Sequence, residues 1–261
     1  MDIERKIERL KEILKSYKKI CVAYSGGTDS DFLLNAAFEA LGNNVIAVIA
    51  KGSNMAEKDI KDAVRLGNNC GAKVFVENVD VFAVEEFRNN SRQRCYFCKK
   101  NIMSAVFERA EKEGFKLIAD GKNADDAKSF RPGAKAAAEL GIVSPLYEAG
   151  FTKAEIRQAA KNMGLETWNK ASNSCLVTRF PYDTLITEEK LLMVEKGEKL
   201  ISNLGIPSVR IRVHGDIARI EMPPEYFSIF ISKGDIIHKL KEIGFMYITL
   251  DLEGFRSGSM D

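Results

Sequence analysis

Short β-rich runs alternate with helical segments over residues 20–165, and this alternation constrains the fold more than any other feature. The β-rich runs are ICVAY, VIAVIAK (45–51), KVFVENV (73–79) and KLIADG (116–121). Helical patterns cover residues 2–17, 55–70 and 96–113. This order predicts an α/β fold with a parallel sheet that helices cover on both faces. Ligands of such sheets bind beyond the carboxyl ends of the strands.

The pattern changes after about residue 186. A charged helical segment (187–204) is followed by two alternating strands in SVRIRVHGDIARIEM, by one or two helices and by the strand FMYITLDL. This order predicts a smaller α+β unit. We therefore expect two domains, residues 1–186 and 187–261.

Composition excludes several classes of protein. Among 261 residues, 45% are hydrophobic and 29% are charged, which is typical of a globular protein and not of a disordered one. No apolar run is long enough to span a membrane. A net charge of +2 does not favour nucleic-acid binding by the whole chain, although it leaves a local basic patch open. The charged N-terminus has no signal-peptide core, so we expect a cytoplasmic protein with reduced thiols.

The segment 25–30, Ser-Gly-Gly-Thr-Asp-Ser, follows the first predicted strand and opens a predicted helix. Paired glycines let backbone N–H groups approach an anion, and the positive end of the helix faces the same point. The segment lacks the lysine of a Walker loop and the glycine spacing of a dinucleotide fold. An ordinary glycine turn is the alternative, but the strand–turn–helix position favours an oxyanion-binding loop.

This loop resembles the SGGxDS signature of the PP-loop ATP pyrophosphatases, which split ATP into AMP and pyrophosphate. The resemblance implies an adenine nucleotide α-hydrolase-like fold, with Asp29 near Mg²⁺. A carboxylate in a second loop, DGKNADD (120–126), would also suit Mg²⁺, although that stretch has the composition of an ordinary turn. The resemblance implies three groups of ATP-binding residues. The phosphates would be bound by Ser25, Gly26, Gly27, Asp29 and Ser30, and the adenine or ribose would face Ala50 and Lys51. The second loop would close the site with Gly121, Asn123 and Asp125.

Five cysteines are an odd number, which argues against a complete set of disulfides. Cys21 falls in the first strand and Cys70 at a helix end, so we expect both to be structural. Cys95 and Cys98 form a C-x-x-C motif, and Cys175 stands alone.

The C-x-x-C motif has several interpretations. A thioredoxin-like site needs its own βαβ context, and a zinc site needs a fourth ligand, for which the two histidines lie far away in sequence. Three thiolates without a fourth protein ligand suit a [4Fe–4S] cluster with one open iron. Cations that flank the motif favour thiolates, or they form a solvated basic surface; they are Arg92, Arg94, Lys99 and Lys100.

Nearly the whole chain resembles the LarE-type ATP-dependent sulfur transferases. The resemblance is carried by YSGGTDS, RCYFCKK, DGKNADD, SFRPGAKAAAELG, SCLVTRFPY and VRIRVHGDIARIE. It implies an enzyme of nickel-pincer nucleotide biosynthesis. Such an enzyme uses MgATP to adenylate a carboxylate of pyridinium-3,5-biscarboxylic acid mononucleotide and then replaces the activated oxygen by sulfur.

Two branches of this family differ in their sulfur source. One has a single cysteine, at the position of Cys175, and sacrifices its sulfur. The other has three cysteines that bind a [4Fe–4S] cluster, from which a sulfide is passed on. The presence of Cys95, Cys98 and Cys175 matches the second branch, so these residues are the expected catalytic and cluster-binding cysteines.

The resemblance also implies a substrate site in the smaller domain. Arg210 and Arg212 alternate onto one face of a strand and would bind the substrate phosphate, with Glu221 ordering them. An exposed edge of charged residues is the alternative. Thr178 and Arg179 would contact the activated intermediate, although Arg179 is equally suited to a structural ion pair.

Two other functions are compatible with some of these motifs. A PP-loop enzyme that thiolates tRNA would share ATP and cluster, but the near-neutral charge and the lack of an added RNA-binding domain disfavour it. A non-catalytic nucleotide-binding scaffold with structural zinc would have no need of the intact loop. The partners expected are therefore a small nucleotide, sulfide or a sulfur carrier, and further copies of the chain in a homo-oligomer such as a hexamer, without membrane or nucleic acid.

Overall fold

The computed structural model describes residues 2–128, 132–170, 174–256 and 259–260. The stretch SFR (129–131), part of the family resemblance above, lies outside these residues. The chain forms two compact units. The first comprises Met1–Val84 and Gln93–Asn173, and the second comprises Glu85–Arg92 and Ser174–Asp261.

The helices and strands follow the predicted order. The strands are β1 (Ile20–Ala23), β2 (Val45–Lys51), β3 (Lys73–Asn78), β4 (Ile118–Ala119), β5 (Arg210–His214), β6 (Ile217–Glu221) and β7 (Tyr247–Leu250). The helices are α1 (Ile3–Tyr17), α2 (Thr28–Leu41), α3 (Glu57–Cys70), α4 (Glu85–Arg88), α5 (Arg94–Lys112), α6 (Pro132–Glu139), α7 (Pro145–Glu148), α8 (Lys153–Asn162), α9 (Glu188–Ser202), α10 (Phe227–Ser232) and α11 (Gly234–Ile243).

The first unit contains a parallel sheet in the order β3-β2-β1-β4. Successive residues of β1 and β2 point into two separate apolar clusters, which explains why these strands are apolar throughout. Leu14 of α1 and Leu33 of α2 belong to one cluster, and Met103 and Val106 of α5 belong to the other. Helices thus cover both faces, and the predicted α/β fold is confirmed.

The strand order places a topological switch at the middle of the sheet. The chain moves outward from β1 to β2 and β3, and then returns to the other side of β1 with β4. The connections that follow β1 and β4 therefore leave the sheet in opposite directions and open a crevice at the carboxyl ends of these two strands. The predicted oxyanion-binding loop (25–30) begins in the connection after β1, and the predicted second loop (120–126) follows β4.

The second unit contains a three-stranded sheet. β5 and β6 form an antiparallel pair, and β7 runs parallel to β6. Ile211 and Ile220 share one buried face. A Cβ atom at Gly197 of α9 would lie 2.6 Å from Ile211 Cδ1, so α9 packs closely on this face. The charged residues of β5 and β6 lie on the other face.

The boundary between the units differs from the one expected after residue 186. The segment Glu85–Arg92 belongs to the second unit although it interrupts the first in sequence. Asp183 N donates to Asn90 O at 3.2 Å and Ile186 N to Arg88 O at 2.7 Å, so residues 85–92 and 183–186 are bonded to each other. These contacts connect residues about ninety positions apart, which a local sequence pattern does not reveal.

Two predicted elements have different limits. The strand expected over residues 116–121 is reduced to Ile118–Ala119, and the next residue, Asp120, donates its backbone N–H to Val143 O. α5 begins at Arg94 rather than at residue 96, so Cys95 and Cys98 both lie within the helix. Within the described residues, no helix is long and apolar enough to cross a membrane.

Candidate functional site

The turn between β1 and α2 has a backbone that only glycine fits at one position. Gly26 has a φ of +66°, and a Cβ atom there would lie 2.6 Å from Ala63 Cβ of α3. Positive φ is unfavourable for residues with a side chain, and α3 leaves no room for one. The turn is therefore held against α3 in a conformation that depends on this glycine.

The hydroxyl groups of the loop meet at the start of α2. Ser25 Oγ and Ser30 Oγ are 3.1 Å apart, and Ser25 N donates to Ser30 Oγ at 3.3 Å. The residue that precedes the helix is Gly27, which has no side chain to cap the first N–H groups. An anion can take that role, because a helix N-terminus attracts negative charge and supplies N–H donors. The loop thus brings its hydroxyls to the uncapped start of α2, and oxyanion binding at this point stays a prediction.

Replacing Gly26 with alanine is expected to weaken MgATP binding about 10- to 100-fold, since both the positive φ and the contact with Ala63 must relax. Titration calorimetry measures this effect. Gly42 is a matched control, because its φ is +57° but no atom lies within 4 Å of a Cβ there. Gly42→Ala should lower stability by about 1 kcal/mol without changing ATP affinity. We call residues 25–30 the phosphate loop. Equal ATP affinity in both variants would contradict the requirement for a rigid backbone in this loop.

The second loop packs directly on the first. A Cβ atom at Gly121 would lie 2.9 Å from Ser30 N, so this glycine permits the close approach. Asn123 Nδ2 donates to Asp29 Oδ2 at 3.3 Å. Asp125, expected to face the ligand, accepts a hydrogen bond from Lys153 N at 2.9 Å and so caps the start of α8. The structure therefore brings Gly121 and Asn123 to the phosphate loop and gives the Asp125 carboxylate a contact with α8.

Asp29 is half-buried between two donors. Besides Asn123, it accepts a hydrogen bond from Lys153 Nζ at 2.6 Å. Lys153 is the first residue of α8, which is fixed by a capping box between Thr152 and Glu155. Sequence reasoning missed Lys153, because a lysine at a helix start carries no local signal of a distant carboxylate.

The end of β2 was expected to face adenine or ribose. Ala50 is half-buried there, and Lys51 Nζ forms an ion pair with Glu57 at 3.1 Å. The hydrogen bond from Lys51 lowers the pKa of the Glu57 carboxyl. Both residues thus lie at the carboxyl end of the sheet, next to β1, where the ligand of such a fold binds.

The two cysteines expected to be structural have environments that suppress their reactivity. Cys21 is fully buried in β1, and burial raises the pKa of its thiol to about 12. Cys70 is half-buried at the end of α3, and burial raises its pKa to about 11. Both side chains are therefore protonated thiols at neutral pH, in agreement with structural roles.

Cys95 and Cys98 lie one helical turn apart near the start of α5, Cys95 exposed and Cys98 buried. Residues at this spacing share a helix face. Of the flanking cations, Lys100 pairs with Glu139 of α6 at 2.8 Å and lies over the Tyr96 ring. Lys100 is thus fixed by contacts between α5 and α6, whereas a solvated basic surface would leave it without such partners.

Cys175 belongs to the second unit. It precedes the 3₁₀ turn Leu176–Arg179, and its carbonyl oxygen accepts from Thr178 Oγ1 at 2.7 Å. Within the described residues, no group of three or more His, Cys, Asp or Glu side chains is assembled as a metal site. The structure therefore places Cys95 and Cys98 together and Cys175 separately, in the other unit.

Arg179 holds the cysteine turn in place. Its guanidinium is buried, pairs with Glu198 of α9 at 2.8 Å, and donates to Ser174 Oγ at 2.7 Å and to Cys175 O at 3.3 Å. Of its two predicted roles, these contacts favour the structural ion pair. Arg179 thus ties Ser174 and the backbone of Cys175 to α9.

Four charged residues of β5 and β6 form what we call the arginine face: Arg210, Arg212, Arg219 and Glu221. Glu221 is 0% exposed and accepts from Arg212 at 3.0 Å and from Arg219 at 3.1 Å. Arg210, which pairs with Glu221 in the strand register, donates to Val209 O and lies over the Phe255 ring.

The exposed-edge interpretation of these strands is wrong, because Arg210 and Arg212 are only 8% and 5% exposed. Burial lowers the pKa of the Arg212 guanidinium, which Glu221 opposes by its negative charge. Arg212 also donates to Thr178 O at 3.1 Å. The arginine face is thus bonded to the turn that carries Cys175.

Comparison with known proteins identifies relatives along the whole chain. Residues 3–122 match the family model described as NAD synthase. The chain is 38% identical over 250 residues to the pyridinium-3,5-bisthiocarboxylic acid mononucleotide synthase of Lactiplantibacillus plantarum, covering 95% of this chain and 91% of that protein. It is 36% identical over 262 residues to an uncharacterized protein of Synechocystis sp., covering 99% and 98%. An uncharacterized protein of Methanocaldococcus jannaschii is 31% identical over 256 residues, covering 97% and 98%.

These matches extend across both units, since each relative aligns with at least 95% of this chain. Identity of 38% over 95% of the chain is far more than a shared nucleotide-binding fold requires. The chain therefore belongs to the LarE-type ATP-dependent sulfur transferase family, together with the Lactiplantibacillus plantarum synthase.

Proposed function

We propose that this protein is a sulfur transferase that adenylates a carboxylate of pyridinium-3,5-biscarboxylic acid mononucleotide with ATP and converts it into a thiocarboxylate. The observation that carries the proposal is the intact phosphate loop at the switch point, in a chain that aligns over 95% of its length with a synthase named for the bisthiocarboxylic product.

Adenylation needs a site that binds a triphosphate and stabilises the departing pyrophosphate. The N–H groups at the start of α2 and the hydroxyls of Ser25 and Ser30 supply donors for it. The substrate carboxylate attacks the α-phosphorus of ATP, and the bond between this phosphorus and the oxygen that bridges to the β-phosphate breaks. The products of this step are an acyl-adenylate and pyrophosphate.

Mg²⁺ fits the donor set at the loop. Asp29 presents a carboxylate beside the phosphate-binding N–H groups, and Mg²⁺ is commonly held by one or two carboxylates and by phosphate oxygens. When bound, the ion would neutralise charge on the leaving pyrophosphate. Before Mg²⁺ binds, Lys153 neutralises the negative charge of the Asp29 carboxylate through their ion pair.

The arginine face is proposed to bind the phosphate of the nucleotide substrate. Glu221 pairs with both Arg212 and Arg219, and Asp251 pairs with Arg219. Guanidinium groups whose positions are fixed by buried partners are well suited to bind phosphate.

Three thiols are available as ligands of a [4Fe–4S] cluster: Cys95, Cys98 and Cys175. Thiolate sulfur is the usual protein ligand of such clusters. Two of the thiols share one helix face, and the third directly precedes a turn whose backbone Arg179 contacts, so the chain supplies the number and type of donors that such a cluster takes. A cluster held by these thiols would supply sulfide as the nucleophile. Attack of sulfide on the acyl carbon, with loss of AMP, gives the thiocarboxylate.

The proposal includes a cytoplasmic location and self-association. Exposed apolar side chains border the edge strand β7 and support contact with another copy of the chain. They are Ile217, Met246, Tyr247 and Leu252.

Release of AMP tests the acceptor. With MgATP present, the pyridinium dicarboxylate mononucleotide is expected to stimulate AMP and pyrophosphate release, and bulk tRNA is not. Chromatographic measurement of AMP separates the two acceptors. Stimulation by tRNA alone would make the protein a tRNA-thiolating enzyme, and release with neither acceptor would favour a nucleotide-binding scaffold.

A further inference from the structure

The phosphate loop contains no cation of its own. Residues 25–30 include Asp29, whose negative charge opposes the approach of a polyphosphate. Lys153 neutralises this carboxylate by its ion pair at 2.6 Å. A loop that binds ATP needs additional positive charge, which a Walker loop takes from its own lysine.

Lys170 places an ammonium group at this loop. Its Nζ atom donates to Gly26 O at 3.0 Å across 144 residues of sequence. The acceptor is a neutral carbonyl, whereas an ammonium has three N–H donors. Within the described part of the chain, Lys170 therefore adds a positive charge that no carboxylate offsets.

The segment that carries Lys170 is fixed to the first turn of α2. Thr28 Oγ1 donates to Thr167 O at 2.7 Å, and Thr167 Oγ1 donates to Asp31 Oδ2 at 2.7 Å. Tyr24 OH donates to the other oxygen of Asp31, also at 2.7 Å. Asp31 is 2% exposed, so these bonds form in a low-dielectric interior where they are strong.

Arg157 of α8 also fixes this segment. Its guanidinium donates to Trp168 O and to Lys170 O, each at 2.9 Å. The backbone of Lys170 is thus anchored while its ammonium reaches the loop. Such an arrangement positions a charge before the ligand binds, which reduces the entropy lost on binding.

We propose that Lys170 binds the pyrophosphate portion of ATP. From a distant segment of the chain, it supplies the positive charge that a lysine within the loop supplies in a Walker motif. This inference rests on the proposed function and assigns one residue within its ATP site. The ammonium keeps its contact with Gly26 O or exchanges it for phosphate oxygens, which are stronger acceptors because they are charged.

Calorimetric titration with MgATP, inorganic pyrophosphate and AMP tests the assignment. Lys170→Met is expected to weaken binding of MgATP and of pyrophosphate about 10- to 100-fold, the range for loss of one charge-assisted hydrogen bond. AMP binding should change by less than about 3-fold, because AMP lacks the β- and γ-phosphates. Lys170→Arg should retain most of the affinity, since it preserves the charge.

The matched control is Lys116→Met, an exposed lysine at the amino end of β4, which should bind all three ligands as the wild type does. Unchanged MgATP affinity in Lys170→Met would overturn the inference and leave the proposed function intact. If Lys170→Met lost ATP and AMP binding equally, Lys170 would have only a structural role. The same would follow if Lys170→Met unfolded and Lys170→Arg bound MgATP no better than Lys170→Met does. Failure of the wild type to bind MgATP would instead overturn the proposed function.

Discussion

Cys175→Ala is expected to reduce thiocarboxylate formation below detection while AMP and pyrophosphate release continues. The phosphate loop, with Lys153 and Lys170, lies in the first unit, whereas Cys175 lies on a turn of the second. Removing the thiol leaves the adenylating groups unchanged and removes a sulfur ligand. Mass spectrometry of the nucleotide product and chromatography of AMP measure the two steps separately.

Cys95 and Cys98 should behave differently from a structural cysteine. After anaerobic purification, Cys95→Ala is expected to lose iron and acid-labile sulfide and to make at most one product per chain. Cys70→Ala is the matched control: its thiol is half-buried, with a pKa that burial raises to about 11, and its removal should leave iron content and turnover unchanged. Multiple turnovers by Cys95→Ala would contradict the three-cysteine cluster, and zinc without iron in the wild type would do the same.

The second large effect is expected at Glu221, the buried carboxylate of the arginine face. Glu221→Gln keeps the shape of the side chain but leaves Arg212 and Arg219 without their shared negative charge. Ser259 Oγ also donates to this carboxylate, at 2.6 Å. Removing one partner of a buried ion pair costs about 3–5 kcal/mol. We therefore expect the free energy of unfolding of the second unit to fall by that amount.

Urea unfolding followed by circular dichroism measures the loss. Glu242→Gln is a control on the exposed surface of α11, where the carboxylate pairs with His238 at 3.2 Å. It should change the free energy of unfolding by less than about 0.5 kcal/mol, as exposed pairs contribute little. A Glu221→Gln variant within 1 kcal/mol of the wild type would show that the arginine face does not depend on this ion pair.

The phosphate loop could be predicted from sequence because its information is local. Its glycines, its hydroxyls and the following helix lie within a few residues, and the structure requires glycine at position 26 for the reasons that the motif implies. The alternation of apolar strands and helices also predicted the parallel sheet. Packing on both faces explains why β1 and β2 are apolar throughout.

Contacts between distant segments could not be predicted in the same way. Nothing near Lys170 in sequence indicates that its ammonium reaches Gly26, and nothing near residues 85–92 indicates that they bond to Asp183 and Ile186. From sequence, Arg179 suited either contact with the activated intermediate or a structural ion pair, and only its burial beside Glu198 favours the ion pair. These features depend on the three-dimensional position of a partner and not on the spacing of residue types.

The central claim is that activation by ATP and transfer of sulfur are two steps of one reaction on this chain. The most direct test is anaerobic incubation of the wild type with MgATP, sulfide and the pyridinium dicarboxylate mononucleotide, with AMP and the sulfur-containing nucleotide quantified together. The account predicts equal amounts of AMP and of newly formed thiocarboxylate groups. Thiocarboxylate formed without AMP, or AMP released without any sulfur entering the nucleotide, would contradict it.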